Sequence, residues 1–343
     1  MSDSPATPDV REIRDALANL PVSVLDLATV RPEEGVRATF EASVELARDA
    51  ERWGYTRYWF AEHHNMDTVA SSATAVLVGH VAGHTSTIRV GAGGVMLPNH
   101  SPLVIAEQFG TLETLYPGRI DLGLGRAPGG DLAMLRSLRR EPSDSDRFPE
   151  DVAELQALLA PARPGQQVTA TPGAGTEVPL YILGSSLFGA RLAAAMGLPY
   201  AFASHFAPAA LVEAVSTYRR EYRPSERHPE PYVIAGLNVF AADTDEQAEE
   251  LHRSALRSTV MRLARRDLSE ADADAVLATP AGDQVRTMLR YSVVGAPQSI
   301  PQQVATFVAH AQANEVIVAS NTPTAQTRHR SYELLAQALA LGG

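Results

Sequence analysis

Two hydrophobic rhythms alternate along this chain: short continuous apolar runs, and longer stretches in which apolar residues return every third or fourth position. The first is the mark of a strand buried on both faces, the second of a helix with one face against a core. Behind a polar tail of residues 1–8, Val10, Ile13, Leu17 and Leu20 recur at helical spacing, and residues 21–26 then read as a buried strand. Residues 39–53 follow as a helix with Phe40, Val44, Ala47 and Trp53 on one face and Gly54 as its C-terminal cap. The pair recurs as strand 58–60 with helix 74–85. It recurs again as strand 88–92 with helix 102–115, where Ile105, Phe109 and Leu112 keep the period until Pro117 and Gly118 end it. Five more strands fall at residues 120–124, 179–183, 200–202, 232–239 and 316–319.

Eight strands alternating with helices imply parallel strands joined by right-handed crossovers. The number eight favours closure over an open sheet. The expected fold is therefore α/β, a (β/α)8 TIM barrel formed by residues 21–343 behind an N-terminal extension of residues 1–20. Two insertions interrupt the rhythm, residues 126–150 after strand four and residues 262–298 after strand seven. Both leave the C-terminal side of the strands, where barrel enzymes build their sites, and the second is the candidate lid.

Composition narrows the function. Lys and Arg number 29 against 40 Asp and Glu, a net charge of −11, the wrong sign for neutralising a nucleic-acid backbone. With no cysteine, disulfides, thiolate metal sites, iron–sulfur clusters and cysteine nucleophiles are excluded by residue type. The N-terminus lacks a basic then apolar leader pattern, and no window approaches the roughly 18 apolar residues of a membrane helix. The expectation is a cytoplasmic protein with no membrane or nucleic-acid partner.

Candidate chemistry clusters behind the strands. Glu62, His63 and His64 stand directly after strand two, at the barrel mouth, where a histidine is poised to move protons near neutral pH. A zinc or iron site is the competing reading, since His63, His64, His100 and His205 can gather at one rim. Adjacent residues in extended chain point to opposite sides, however, so His63 and His64 do not easily share an ion, and no metal is expected. The glycine run from Gly91 to Gly94 after strand three suggests backbone that takes unusual dihedrals or lets a flat ligand approach. Gly123, Gly125 and the residues after them resemble a dinucleotide fingerprint until Pro128 takes the place of its third glycine, so that motif fails. Arg126 remains, a guanidinium at a strand end able to grip a phosphate, and Ser185 and Ser186 open a helix whose free N–H groups suit an anion. Phe60, Met96, Phe202, Phe206 and Leu187 are candidates for an apolar substrate pocket.

Residues 59–66, 91–102, 106–109, 116–129 and 184–189 resemble the bacterial-luciferase-like flavin-dependent monooxygenases, and the resemblance runs from about residue 21 to the C-terminus. The second and fourth runs are most similar to the single-chain branch found among bacterial oxidoreductases and antibiotic-pathway enzymes. The resemblance implies that His63 handles a proton near the flavin, supported by His64 and Glu62, and that Arg126, Ser185 and Ser186 hold the FMN phosphate. It places Gly93 and Gly94 where the family often has a non-prolyl cis peptide beneath the flavin ring. It implies reduced FMN arriving from a separate flavin reductase, oxygen addition to give a C4a-hydroperoxide, and a small organic substrate. It also implies a homodimer paired through helices near strands two and three, with Val76, Leu77 and Val81 as apolar surface. Gly125 stands where the catalytic subunit of luciferase has cysteine, which argues against aldehyde-dependent light emission. Three rival readings remain at this point: hydride transfer with the deazaflavin F420 on the same fold, a metal-dependent barrel hydrolase, and a non-catalytic flavin-binding protein.

Overall fold

The computed structural model describes residues 13, 17–31, 34–127, 131–264 and 266–342. The expected tail, Val10, and Pro128, Gly129 and Gly130 of the failed fingerprint lie outside the described residues. Strands β1 (Val22–Asp26), β2 (Arg57–Phe60), β3 (Arg89–Met96), β4 (Ile120–Gly125), β5 (Leu180–Gly184), β6 (Tyr200–Phe202) and β7 (Val233–Ala241) pair in parallel in chain order, and β9 (Glu315–Ala319) closes the ring between β7 and β1. Tyr200 opposite Val233 and Val22 opposite Val316 fix the closing registers. The (β/α)8 barrel expected from the hydrophobic rhythm is the fold.

The strand expected last is ninth in chain order, because β8 (Ser292–Gly295) intervenes within residues 262–298. It pairs with residues 238–241 of β7, mostly beyond the stretch that β7 shares with β9. Four residues between helical patterns are too few for a period to show, so β8 was not legible.

The helices on the outer wall are α1 (Gly35–Arg52), α2 (Thr74–Ala82), α3 (Pro102–Leu115), α4 (Leu132–Ser137), α5 (Phe148–Leu159), α6 (Leu187–Met196) and α7 (Leu211–Glu221). After β7 come α8 (Asp245–Ala264), α9 (Glu270–Leu277) and α10 (Pro280–Met288), then α11 (Ile300–Ala311) and α12 (Ala325–Leu339). The inserted helices share a small core of Val260, Ala273, Leu277 and Val285, and Arg257 of α8 donates to Asp274 of α9 at 2.8 Å. No described helix is long and apolar enough to cross a membrane.

Alternation along the strands separates two cores. Tyr58, Phe60 and Phe202 point outward and pack under the helices with Phe109, Tyr218 and Tyr332. Leu25, Trp59, Tyr181, Ala201, Ile234 and Ile317 fill the lumen. Phe60 and Phe202 are thus structural, a correction to the expected pocket: their parity puts them on the helix side. Leu77 and Val81 are likewise core residues, at 6% and 1% exposure, and only Val76 of the expected dimer surface faces out.

Candidate active site

The lumen is built in layers, and its lowest layer is ionic. Arg57 donates through Nε and Nη2 to the two oxygens of Glu315 at 2.7 and 2.9 Å, and through Nη1 to Asp121 and Tyr181, both at 2.9 Å. Ser23 and Tyr232 donate to Glu315 and Trp59 Nε1 to Asp121, so both carboxylates, although fully buried, are compensated. Apart from Trp59, the third residue of β2, these side chains come from the first two positions of strands or the residue before one. They plug the barrel from below.

Trp59 sits over the plug and sets what its neighbours can be. A Cβ on Gly93 would stand 2.8 Å from the Trp59 ring, so the inward face of β3 at that height takes only glycine. The Gly93–Gly94 peptide bond is cis, as the family resemblance implies.

At the mouth, β2 runs into Glu62, His63 and His64, and the three side chains part company. Glu62, 2% exposed, receives His64 Nε2 and His100 Nε2 on one oxygen, each at 2.8 Å. Burial opposes its ionisation, but the hydrogen bonds from His100 and His64 outweigh burial and hold the carboxyl below its ordinary value. One carboxylate thereby ties the loop after β2 to the loop after β3. Glu62, His64 and His100 have the makeup of a metal-binding cluster, with ligand atoms within 4.8 Å of one another, and hydrogen bonding accounts for their convergence.

His63 turns the other way. Its Nδ1 is buried without a hydrogen-bond partner, and burial, then the charge of Arg262, lower its pKa against the opposing pull of Glu62. His205, three residues past β6, is within reach of its charge. The Nδ1 of His205 is also buried and unpartnered, and burial followed by the proximity of His63 pushes its pKa down to about 4. Gly236 of β7 makes room for this ring: a Cβ there would come within 2.4 Å of His205 Nδ1. Two neutral imidazoles, each with a buried Nδ1 that meets no partner, therefore stand at the mouth at neutral pH.

Arg126, at the end of β4, is exposed and stacks on the Phe188 ring at 4.1 Å. It has no carboxylate partner among the described residues. Phe188 lies in the first turn of α6, whose N-cap residue Ser186 makes no side-chain capping bond. The expected anion pole of Arg126, Ser185 and Ser186 thus gathers on one rim, with a guanidinium whose face is covered and whose edge is free. Of the expected pocket, Phe206 is 48% exposed next to His205, whereas Leu187 packs against the outer core.

From the sequence His100 and His205 entered only as rim residues of the rejected metal reading, and Arg262 and Phe188 not at all. For the two histidines a signal existed. Each is the first histidine past the C-terminal end of a barrel strand, the same criterion that singled out His63. Arg262 and Phe188 carry no local mark, because what qualifies them is a neighbour brought by the fold.

The sequence profile of luciferase-like monooxygenases matches residues 20–314. The chain belongs to the luciferase-like monooxygenase family, and it is an enzyme of that kind. It is 45% identical over 318 residues to a luciferase-like monooxygenase of Escherichia coli (strain K12), covering 91% of this chain and 95% of the relative. It is 31% identical over 341 residues to the N-acetyl-S-alkylcysteine monooxygenase of Bacillus subtilis (strain 168), covering 93% and 98%. The crystal structure of apo-MsnO8 superposes with a TM-score of 0.86 at 35% identity, over 95% of this chain and 99% of that one. The fold is also shared, at 16% and 17% identity with TM-scores of 0.70 and 0.65, by a type II Baeyer-Villiger monooxygenase in complex with FMN and by an F420-dependent secondary alcohol dehydrogenase.

Proposed function

We propose that this enzyme takes reduced FMN and oxygen and transfers one oxygen atom to a small organic substrate, with a separate reductase supplying the flavin. The observation that carries this reading is the anion pole, where Arg126 stacks on Phe188, with no carboxylate partner among the described residues, beside the start of α6, whose N-cap side chain makes no capping bond. A flavin phosphate fits that pole. The glycine face of β3 and the open space at Gly125, where a Cβ would meet nothing nearer than 3.8 Å, leave room for a flat ring. Reduced flavin supplies the electrons and activates oxygen. The monooxygenase relatives favour FMN over F420, since a hydride carrier does not by itself deliver oxygen.

The chain's own residues do the rest. Arg126, Ser185 and Ser186 bind the phosphate. His63 holds or moves a proton at its free Nδ1, and its lowered pKa keeps the ring neutral, with one nitrogen able to accept, at neutral pH. Glu62 fixes His64 and His100, which anchors the loop carrying His63. The helices after β7 limit water at the mouth. Val76 on α2, 70% exposed, with Val104 and Leu115 on α3, supplies the apolar face of a homodimer.

Anaerobic titration with reduced FMN and with reduced F420, each followed by an oxygen pulse, tests the reading. FMN should bind and consume oxygen, F420 should not. Tight binding of F420 without oxygen uptake would replace this reading with hydride transfer.

A further inference from the structure

A carboxylate offers lone pairs on both oxygens, and two donors ordinarily divide between them. At Glu62 they do not. His64 Nε2 and His100 Nε2 both come to Oε1, at 2.8 Å each, and Oε2 accepts nothing from the described residues. Hydrogen bonding is enough to bring both rings to Glu62, but it does not require that they share one atom. The outcome is an anionic oxygen and two imidazole nitrogens gathered around a single point, all within 4.8 Å of one another.

The divergence of His63 and His64 argued against a metal shared by those two. It does not touch this set, in which His100 stands with His64 and His63 has no part. β2 and β3 are hydrogen-bonded neighbours, with Phe60 opposite Ala92, so the segments that leave them rise side by side at the mouth. Glu62 and His64 follow the end of β2, and His100 follows the end of β3 and the single turn after it. The side chain of Glu62 is 2% exposed, those of His64 and His100 are 17% and 29% exposed, so the carboxylate is the floor of the group and the rings are its movable walls. Zinc bonds of about 2.0–2.2 Å at tetrahedral angles set ligand atoms about 3.3 Å apart. Each ring then has to withdraw from Oε1 by roughly half an ångström to admit an ion, a shift open to partly exposed side chains.

We propose that Glu62, His64 and His100 form a binding site for a divalent transition-metal ion of the zinc type, held by Oε1 and the two Nε2 atoms between the segments that follow β2 and β3. Two imidazoles with one carboxylate suit such an ion and disfavour magnesium and calcium, which take oxygen ligands. Three protein ligands leave a fourth position open at the mouth. The net charge of −11 favours cations near the protein. An ion there replaces the shared oxygen as the tie between the two segments and stiffens the mouth beside His63. The site rests on these contacts and not on the monooxygenase reading.

The test titrates Zn2+ into tag-free, cofactor-free protein by calorimetry and repeats the titration with Co2+, whose visible bands report the ligand set. One ion per chain should bind, Mg2+ should not compete, and the thermal midpoint should rise with Zn2+, as binding to the folded state requires. Glu62→Gln keeps an oxygen for hydrogen bonding and loses the charge, and His100→Ala removes a partly exposed ring. Each should weaken Zn2+ by at least about tenfold and alter the Co2+ bands, whereas His63→Ala should leave both as they are. If Glu62→Gln fails to fold, His100→Ala decides. No saturable Zn2+ binding, or an affinity kept in both variants, would overturn the proposal and leave the group a hydrogen-bonded tie only. So would binding lost in His84→Ala instead, because the exposed pair of His80 and His84, with ring centroids 4.6 Å apart, would then be the site. FMN titration of the same samples reports separately on the monooxygenase reading: failure to bind FMN sinks that reading and leaves the zinc result standing.

Discussion

At the lower end of the lumen, Arg57 is bound by Glu315, Asp121 and Tyr181, and neither carboxylate lacks a donor. At the upper end, His63 and His205 bury Nδ1 atoms that meet no partner, and Arg126 meets no carboxylate among the described residues. Both layers are polar and lie inside the same barrel. The lower one is closed on itself and the upper one is open. A buried polar atom left unsatisfied costs about 1–3 kcal/mol. A fold keeps such atoms where a ligand will satisfy them, and compensates charge fully where none arrives. Two changes, one at each end, should therefore fail in different ways.

The largest effect is expected at the open end. His63→Ala should leave folding and FMN binding nearly intact and lower product formation by roughly a hundredfold to ten-thousandfold, as for loss of a positioned acid or base. Oxygen should still be consumed, with hydrogen peroxide as the product. Single-turnover product yield beside peroxide yield measures this, and near wild-type coupling would remove His63 from the chemistry.

At the closed end, Arg57→Met should act on stability. Removing the cation leaves Glu315 as a buried charge without its counterion, while Asp121 keeps a second one in Arg89, and the loss costs about 3–5 kcal/mol, a factor of roughly a hundred to several thousand in the folding equilibrium. Urea denaturation reads this directly. A loss under 1 kcal/mol would show that the plug is held by Ser23, Tyr232, Trp59 and Arg89 without Arg57, and the contrast between the two ends would weaken.

A third expectation concerns pH. His205 titrates at about 4 in the folded protein against an ordinary value of 6.5, so between these values the unfolded chain takes up a proton that the folded one refuses. Its contribution is fully present above pH 6.5 and is lost as pH falls toward 4. His63, also lowered, acts in the same direction. His205→Gln should flatten the fall in the urea midpoint over this range. Parallel curves for variant and wild type would mean that His205 is protonated in the folded state.

How much of this contrast the sequence carried depends on whether a residue acts alone or through a partner. The barrel was legible because parallel strands buried on both faces leave an unmistakable apolar run, as in the nine buried residues of β7. Glu62, His63, His64 and Arg126 were legible because position after a strand is itself a signal. The plug was not. Arg57 and Glu315 are 258 residues apart, and a charged residue opening a strand gives no hint that it points into the lumen. That His64 and His63 diverge was legible, but not what each meets, Glu62 for the first and no partner at Nδ1 for the second. The family resemblance supplied roles for such residues; the geometry shows what each of them touches.

The smallest expected effect sharpens the comparison at Arg126. Below, arginine is held by carboxylates; here it is held by the ring of Phe188 at 4.1 Å, which orients the guanidinium without neutralising it. Removing the guanidinium and removing its support should then differ in size but not in kind. Arg126→Ala should weaken FMN by about ten- to a hundredfold while leaving riboflavin, which has no phosphate, nearly unaffected. Phe188→Ala keeps the charge and loses a stacking contact worth roughly 0.5–1 kcal/mol at an exposed site, so FMN should weaken only about two- to fivefold, again with riboflavin spared. Phe188→Leu, which keeps bulk without a π face, should fall with the alanine variant. Fluorescence titration of both ligands against all three variants makes the test. If Phe188→Ala weakened riboflavin as much as FMN, the ring would be packing against the flavin and not holding Arg126, and the phosphate pole would have to be redrawn without it.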